Sequence, residues 1–316
     1  MKFSFAFLSF AFLSSYFRGI DSFVAPHHSI RFKNDLSIQS TSGGMIDETG
    51  PLKKIILTDS KGCEAEIFTL GACVTSFKVD GHDSLFVRPD AKLDGSKPIS
   101  GGLPHCFPQF GPGKIQQHGF ARNMEWEIES LVGGEIPSVT LKLKESEATL
   151  AMWPHKFECT YEVSIASKTL KTELKIKNAD EKPFEFQCAL HSYFSVSDVQ
   201  QTKVSSPLFP SSTYLDKTND PPIEMKWSEN DVKVSKPVDY VFYDVSGDIE
   251  MVDSASNRKL MIKNEGGYAD TVIWSPFGDE NMGYKNFLCV ESAKVSPLRL
   301  SPGEEWIGLM TLVPSN

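Results

Sequence analysis

Along most of the chain, apolar and polar residues alternate with a period of two. Val139, Leu141 and Leu143 are separated by Thr140 and Lys142. Phe157, Cys159, Tyr161, Val163 and Ile165 interleave with Glu158, Thr160, Glu162 and Ser164, and Leu170, Thr172, Leu174 and Ile176 interleave with Lys171, Glu173 and Lys175. Successive side chains of a strand point to opposite faces, so each run predicts a strand with one buried and one solvated face. Gly133-Gly134, Asn178-Ala179-Asp180 and Gly266-Gly267 supply turns between such runs. From residue 45 onward there is no long i, i+3, i+4, i+7 apolar stripe and no regular long repeat, which argues against βαβ folds and solenoids. The expected fold is all-β, a single antiparallel β-sandwich domain over residues 41–316, large for its class.

The first forty residues read differently. Lys2 is followed by an uncharged run from Phe3 to Phe17, the length of a signal-peptide core and too short to span a bilayer comfortably. Between Phe23 and Ser40, Arg31, Lys33, His27, His28 and several serines face one acid, Asp35, the acid-poor composition of an organellar transit peptide. The junction Asp21-Ser22-Phe23-Val24-Ala25-Pro26 resembles the cleavage motif of bipartite plastid presequences in algae with complex plastids. Residues 1–40 are therefore expected to be a targeting presequence, a signal peptide to about residue 22 and then a transit peptide. The expected destination is the plastid, with secretion as the alternative.

Charge and cysteine usage narrow the function classes. The chain carries 32 Lys and Arg against 41 Asp and Glu, a formal charge of −9 that becomes −11 without residues 1–40. Such a chain offers no global positive field for phosphate backbones, so no nucleic-acid partner is expected, nor a membrane for the mature form. The six cysteines contain no C-x-x-C pair, so neither a zinc ribbon nor a dense disulfide scaffold is written here. Cys159 falls on the apolar phase of its strand, where a small buried hydrophobe is expected, and the thiols should be reduced.

Candidate chemistry concentrates in Lys97–Trp126, which is too rich in Gly and Pro for a central strand and too aromatic for a solvated linker. Gly111-Pro112-Gly113-Lys114 looks like a phosphate loop, but Ile115 stands where a Ser or Thr must hold magnesium, and Gln116 breaks the dinucleotide glycine pattern. His105 and Cys106 are adjacent, so on extended backbone they point to opposite faces and cannot act as a catalytic pair. His82 reads as a turn residue and His155 as a strand entry. His191 is different: it ends the apolar stretch Phe186–Leu190 and precedes Tyr193-Phe194, where partial burial tunes an imidazole for acid work. Glu291, closing Phe287-Leu288-Cys289-Val290, is a candidate carboxylate partner.

The stretches SGGLPHCFPQFGPGKIQQHGFARNMEW, FEFQCALHSYF, VDYVFYD, TVIWSP and FLCVES occur in one order over nearly the whole mature chain. Together they resemble the glucose-6-phosphate 1-epimerase group of the aldose 1-epimerase family, the mutarotases. The resemblance implies the galactose-mutarotase-like fold, a large antiparallel β supersandwich, and interconversion of the α and β anomers of glucose 6-phosphate or a related hexose 6-phosphate. It makes His191 the general acid toward the ring oxygen and Glu291 the general base toward the C1 hydroxyl, with no metal and no cofactor. At substrate-binding positions it places His118, Arg122 and Asp239; Gln117, beside His118, is a further candidate. A small-molecule sugar partner and a monomer are expected.

Two departures bear on the substrate. Ser100 replaces an arginine that the family associates with the sugar phosphate, and Glu291-Ser292-Ala293 replaces the family's E-P-G. Lys97, Arg88 and Lys114 are the candidates for restoring the charge. Three alternatives stay open at this level: an epimerase of neutral aldoses, a non-catalytic carbohydrate-binding protein, and a protein-docking surface built on the aromatic loop.

Overall fold

The computed structural model describes residues 43–316, together with two short strands at Ser29–Arg31 and Ser40–Thr41. The expected signal peptide, its junction and most of the expected transit peptide lie outside the described residues. The strands form three sheets of ten, eight and six strands, and the ladders between strands are antiparallel.

The centre of the ten-stranded sheet is the hairpin Phe157–Ala166 and Thr169–Asn178, registered from Phe157↔Asn178 to Ala166↔Thr169. It continues through Glu305–Ser315 and Arg258–Gly266 to Gly247–Asp253. The alternation seen in the sequence is realised here. Phe157, Cys159, Tyr161, Val163, Leu170, Leu174 and Ile176 are buried, while the opposite face carries Lys142–Glu158 and Lys177–Glu305 ion pairs. Each large apolar side chain withdrawn from water contributes about 1.5–3 kcal/mol, so the buried face holds the fold and the surface pairs add little.

The eight-stranded sheet runs in the order Ile223–Lys226, Thr213–Asp216, Val238–Phe242, Asp270–Ser275, Phe287–Leu300, Phe184–Leu190, His105–Cys106, with Tyr193–Ser195 also pairing Phe287–Leu300. One of its faces, carrying Tyr240, Phe242, Ile273, Leu288, Val290, Phe186 and Leu190, belongs to the same core as the inner face of the large sheet. The Phe186 and Trp306 rings, 5.8 Å apart and edge-on, join the two layers. The six-stranded sheet adds Ile55, Ile67 and Phe77 to that core.

Helices are incidental. Among the described residues the α-helix is Glu147–Met152, six residues capped by Ser146, and no helix is long and apolar enough to cross a membrane. The described cysteines are all free and buried.

Lys97–Trp126 is irregular but tied down. His105–Cys106 pairs with Leu190 and Ala189, and the Leu103 N–H donates to the Val74 carbonyl at 2.9 Å. Gly102 makes this approach possible: its φ is +67°, and a Cβ there would stand 2.0 Å from the Val74 oxygen. Gly102→Ala is therefore expected to lower stability by more than about 2 kcal/mol in urea unfolding. Gly81→Ala, with φ +78° but open space around its Cβ, should cost about 1 kcal/mol. Equal midpoints for the two variants would contradict the close contact.

Candidate active site

The site arises from a break in one ladder. Phe184–Leu190 pairs with Phe287–Leu300 up to Leu190↔Ser292, and Tyr193–Ser195 resumes at Tyr193↔Cys289. Between them the chain detaches: the His191 N–H donates to the Pro104 carbonyl at 2.9 Å and the Tyr193 N–H to the Gly102 carbonyl at 2.8 Å. His191 and Ser192 thus stand across from Val290 and Glu291 without ladder bonds, and His191 Nδ1 comes within 3.3 Å of Glu291 Oε1. The contact is at ion-pair distance but too poorly aligned for a hydrogen bond, which leaves His191 Nδ1 and Glu291 Oε2 without partners.

Cross-strand register places the remaining groups, because directly opposed residues share a face. One row across the sheet is Asp239, Trp274, Cys289 and Tyr193. The next is Val241, Val272 and Glu291, and the one after it Asp270, Ala293, Ala189 and Cys106. The face opposite the core therefore carries Asp239, Glu291 and Cys106 two residues apart in depth. His191 is stacked on Tyr193, with centroids 4.9 Å apart, and meets Trp274 edge-on at 5.6 Å.

Burial sets the protonation of the pair. Glu291 is 1 % exposed, and loss of water together with the Asp239 charge pushes its carboxyl well above the usual range, against the opposing pull of Lys217 and Arg122. Loss of water, reinforced by His118, Arg122 and Lys217, pushes His191 well below its usual value. The family roles ask for opposed environments, an acid held protonated and a base held ionised, yet both groups are driven toward their neutral forms. The physical reason is shared: a low-dielectric site penalises any charge it is asked to hold alone. The pair is best described as carrying one proton between two groups in contact, with zero net charge wherever that proton sits.

His118 sits at φ +67°, with its ring 5.4 Å from that of His191. The Gly111 N–H donates to His118 Nδ1 at 3.2 Å, and Cys106 Sγ lies 3.2 Å from the same nitrogen. Nδ1 is thus an acceptor, and the proton of the neutral ring resides on Nε2, the nitrogen that faces the Gln117 side chain. Burial holds this ring down to about 4. Gln117 is exposed, with its side-chain amide nitrogen 3.3 Å from His118 Nε2, and its backbone carbonyl accepts from Arg122 Nη2 at 2.8 Å. Arg122 Nε is buried without a partner, and the Arg122 charge acts on His118, His191 and Glu291.

Asp239 is held by Lys217, whose Nζ donates to both carboxylate oxygens at 3.1 Å and lies 5.7 Å from the Phe110 ring centre. Sequence reasoning missed Lys217. A lysine just past a short strand has the signature of a solvated turn, and the cross-strand register that brings it to Asp239 is not a local signal. Arg88 meets Ser100 through its backbone N–H, but its guanidinium is bound bidentately to Asp90 at 2.9 and 2.6 Å, so its charge is matched. Lys97 and Lys114 are exposed; Lys114 lines a groove with Trp153, His155 and Phe184, apart from the pair. His105 fills an aromatic slot between Trp126 and Tyr161 while Cys106 turns to His118, the opposite-face arrangement expected of neighbours on a strand. His155 pairs with Asp180 at 3.5 Å.

The profile of the family described as aldose 1-epimerase matches residues 53–312. The chain belongs to that family. It is 36% identical over 290 residues to a "Putative glucose-6-phosphate 1-epimerase" of Cenchrus ciliaris, covering 84% of this chain and 86% of the relative. It is 29% identical over 255 residues to a protein of the same description from Escherichia coli K12, covering 77% and 83%. Among solved structures, a "putative mutarotase" from Salmonella typhimurium superposes with a TM-score of 0.79 at 26% identity, covering 89% of this chain and 97% of that one. A galactose mutarotase-like protein from Clostridium acetobutylicum, 21% identical over 84% of this chain and 96% of its own, gives a TM-score of 0.70 and shows the same fold. The fold and the family expected from the sequence are both borne out, and with them a sugar substrate.

The buried histidines make a pH prediction. His105 is held down to about 3 and His118 to about 4, by burial above all. Folded values below the unfolded 6.5 mean that their contribution is complete above pH 6.5 and is lost as pH falls through the folded values. His105→Phe keeps the ring packing and removes two buried unpartnered nitrogens. Between pH 7 and pH 5 it should lose less stability than the wild type by on the order of 2 kcal/mol, read from urea midpoints. Parallel losses would contradict the assignment.

Proposed function

We propose that the chain is a hexose 6-phosphate mutarotase that interconverts the α and β anomers of glucose 6-phosphate by acid–base ring opening. The observation that carries the reading is the His191–Glu291 contact at 3.3 Å, with Glu291 buried, on the sheet face that also carries Asp239. In the form His191-H⁺ and Glu291⁻, the carboxylate takes the proton of the C1 hydroxyl while the imidazolium gives its proton to the ring oxygen. The C1–O5 bond breaks, an aldehyde forms at C1, and the pair is left as neutral His191 and protonated Glu291. Rotation about C1–C2 presents the other carbonyl face; Glu291 then returns a proton to O1, His191 recovers one from O5, and the ring closes as the opposite anomer. One proton crosses through the sugar in each direction, so the net charge of the pair never changes. Burial opposes a charged site but not this exchange.

His118 Nε2–H is the donor to a sugar oxygen, and Asp239, oriented by Lys217, is the acceptor. The relatives named as glucose-6-phosphate 1-epimerases support the phosphosugar. Arg122 is the cation placed to meet it: it keeps unspent donors beside the pair, whereas Arg88 is matched by Asp90 and Lys217 by Asp239. A fork-shaped guanidinium suits phosphate oxygens, which lets Arg122 stand in for the arginine missing at Ser100. Neutral aldoses are the second reading, favoured by Ser100 itself.

Magnetisation-exchange NMR at anomeric equilibrium tests the proposal. Exchange of glucose 6-phosphate should be accelerated by the protein and reduced by about 10²–10⁴ in Glu291→Gln. Acceleration confined to glucose and galactose would move the substrate to the second reading, and no acceleration of any sugar would overturn the catalytic one. Arg122→Met should raise KM for glucose 6-phosphate about tenfold or more while leaving KM for neutral sugars nearly unchanged.

A further inference from the structure

The reaction leaves the thiols of this sheet face unused, and one of them stands beside the catalytic pair. Cys289 lies two residues from Glu291 on the same strand and directly opposite Tyr193 and Trp274. Its Sγ, a ring nitrogen of His191 and a carboxylate oxygen of Glu291 all lie within 4.8 Å of one another. Bonds of about 2.0–2.1 Å to nitrogen and oxygen and about 2.3 Å to sulfur put neighbouring ligands of tetrahedral zinc roughly 3.3–3.8 Å apart. The His191–Glu291 contact of 3.3 Å already has that spacing, and the thiol needs to move inward by no more than about 1 Å. Two of the lone pairs are waiting: His191 Nδ1 and Glu291 Oε2 are buried without hydrogen-bond partners.

We propose that His191, Cys289 and Glu291 form an inhibitory site for a borderline-soft divalent cation, with zinc the best match, and that metal occupancy and sugar turnover exclude each other. A thiolate, a carboxylate and a neutral imidazole around Zn²⁺ make a site of zero net charge. Metal binding needs the thiol, carboxyl and imidazole in their deprotonated forms, so affinity rises with pH. The other groups that face the trio are Asp239 with Lys217, Arg88 with Asp90, His118, Arg122, and the neutral Tyr193 and Cys106. The first two sets are internally matched, His118 is neutral, and Arg122 is the one opposing charge. The three ligands leave a fourth position open to water, and bound metal consumes the lone pairs that would move the sugar's protons.

Cobalt(II) added to the purified protein gives a readout independent of turnover. One equivalent should produce a thiolate-to-cobalt charge-transfer band in the near ultraviolet that zinc displaces and Cys289→Ser lacks. Zinc should also inhibit anomer exchange, at least tenfold more weakly in Cys289→Ser and more strongly at pH 8 than at pH 6, with activity restored by EDTA. A folded wild-type protein without the band, or a band and zinc sensitivity that survive Cys289→Ser, would overturn the proposal. Should Cys289→Ser fail to fold, His191→Gln provides the second test: it keeps the thiol and is expected to lose the zinc-dependent rise in Tm, and retention of that rise would overturn the site. Because the band is read without substrate, its outcome stands whether or not the protein anomerises sugars.

Discussion

Desolvation of the His191–Glu291 pair is the constraint on which the rest of the site depends. A lone carboxylate or imidazolium at this depth would cost several kcal/mol, whereas two groups in contact sharing one proton cost far less. Ring opening of a hemiacetal needs a base and an acid in the same instant, which is to say a pair that takes one proton and gives one. The buried pair can do this without ever acquiring net charge. Low dielectric, hostile to most ionic chemistry, is compatible with this reaction for that reason.

The antiparallel architecture supplies the geometry. In a continuous ladder His191 would spend its backbone on Glu291's strand. By detaching at residues 191 and 192, with the His191 and Tyr193 N–H groups donating instead to Pro104 and Gly102, the chain brings the imidazole to the carboxylate. Those two carbonyls belong to the Lys97–Trp126 loop, and the close approach at Gly102 is what allows the loop to reach them. The same loop delivers His118 and Arg122. One irregular segment therefore both opens the ladder and furnishes the groups around the opening, while the regular alternation on the far side of the sheet holds the core.

Much of this was legible in the sequence, and the limits have physical causes. Period-two runs such as Phe157–Ile165 fixed strand identity and the buried face, since alternation is a local property. His191 and Glu291 stood out because a polar group closing an apolar run is locally anomalous, although Glu291 lies inside the strand Phe287–Leu300 rather than at its end. Lys217 and Cys289 were not legible as site residues, because their meaning lies in cross-strand register: Asp239↔Trp274↔Cys289 is a row of the sheet, not a spacing in the chain. The protonation of the pair was likewise hidden. Aromatic neighbours suggested tuning toward neutrality, but loss of water, near-complete at Glu291 and partial at His191, drives both toward their uncharged forms.

The most direct test of the shared proton is NMR titration of the His191 imidazole and the Glu291 side-chain carboxyl, isotopically labelled, between pH 5 and 8. One proton per pair throughout that range, with neither group taking up or releasing a second, is the predicted result. Two independent titrations, Glu291 ionising near the ordinary carboxylate value and His191 protonating near 6.5, would contradict it.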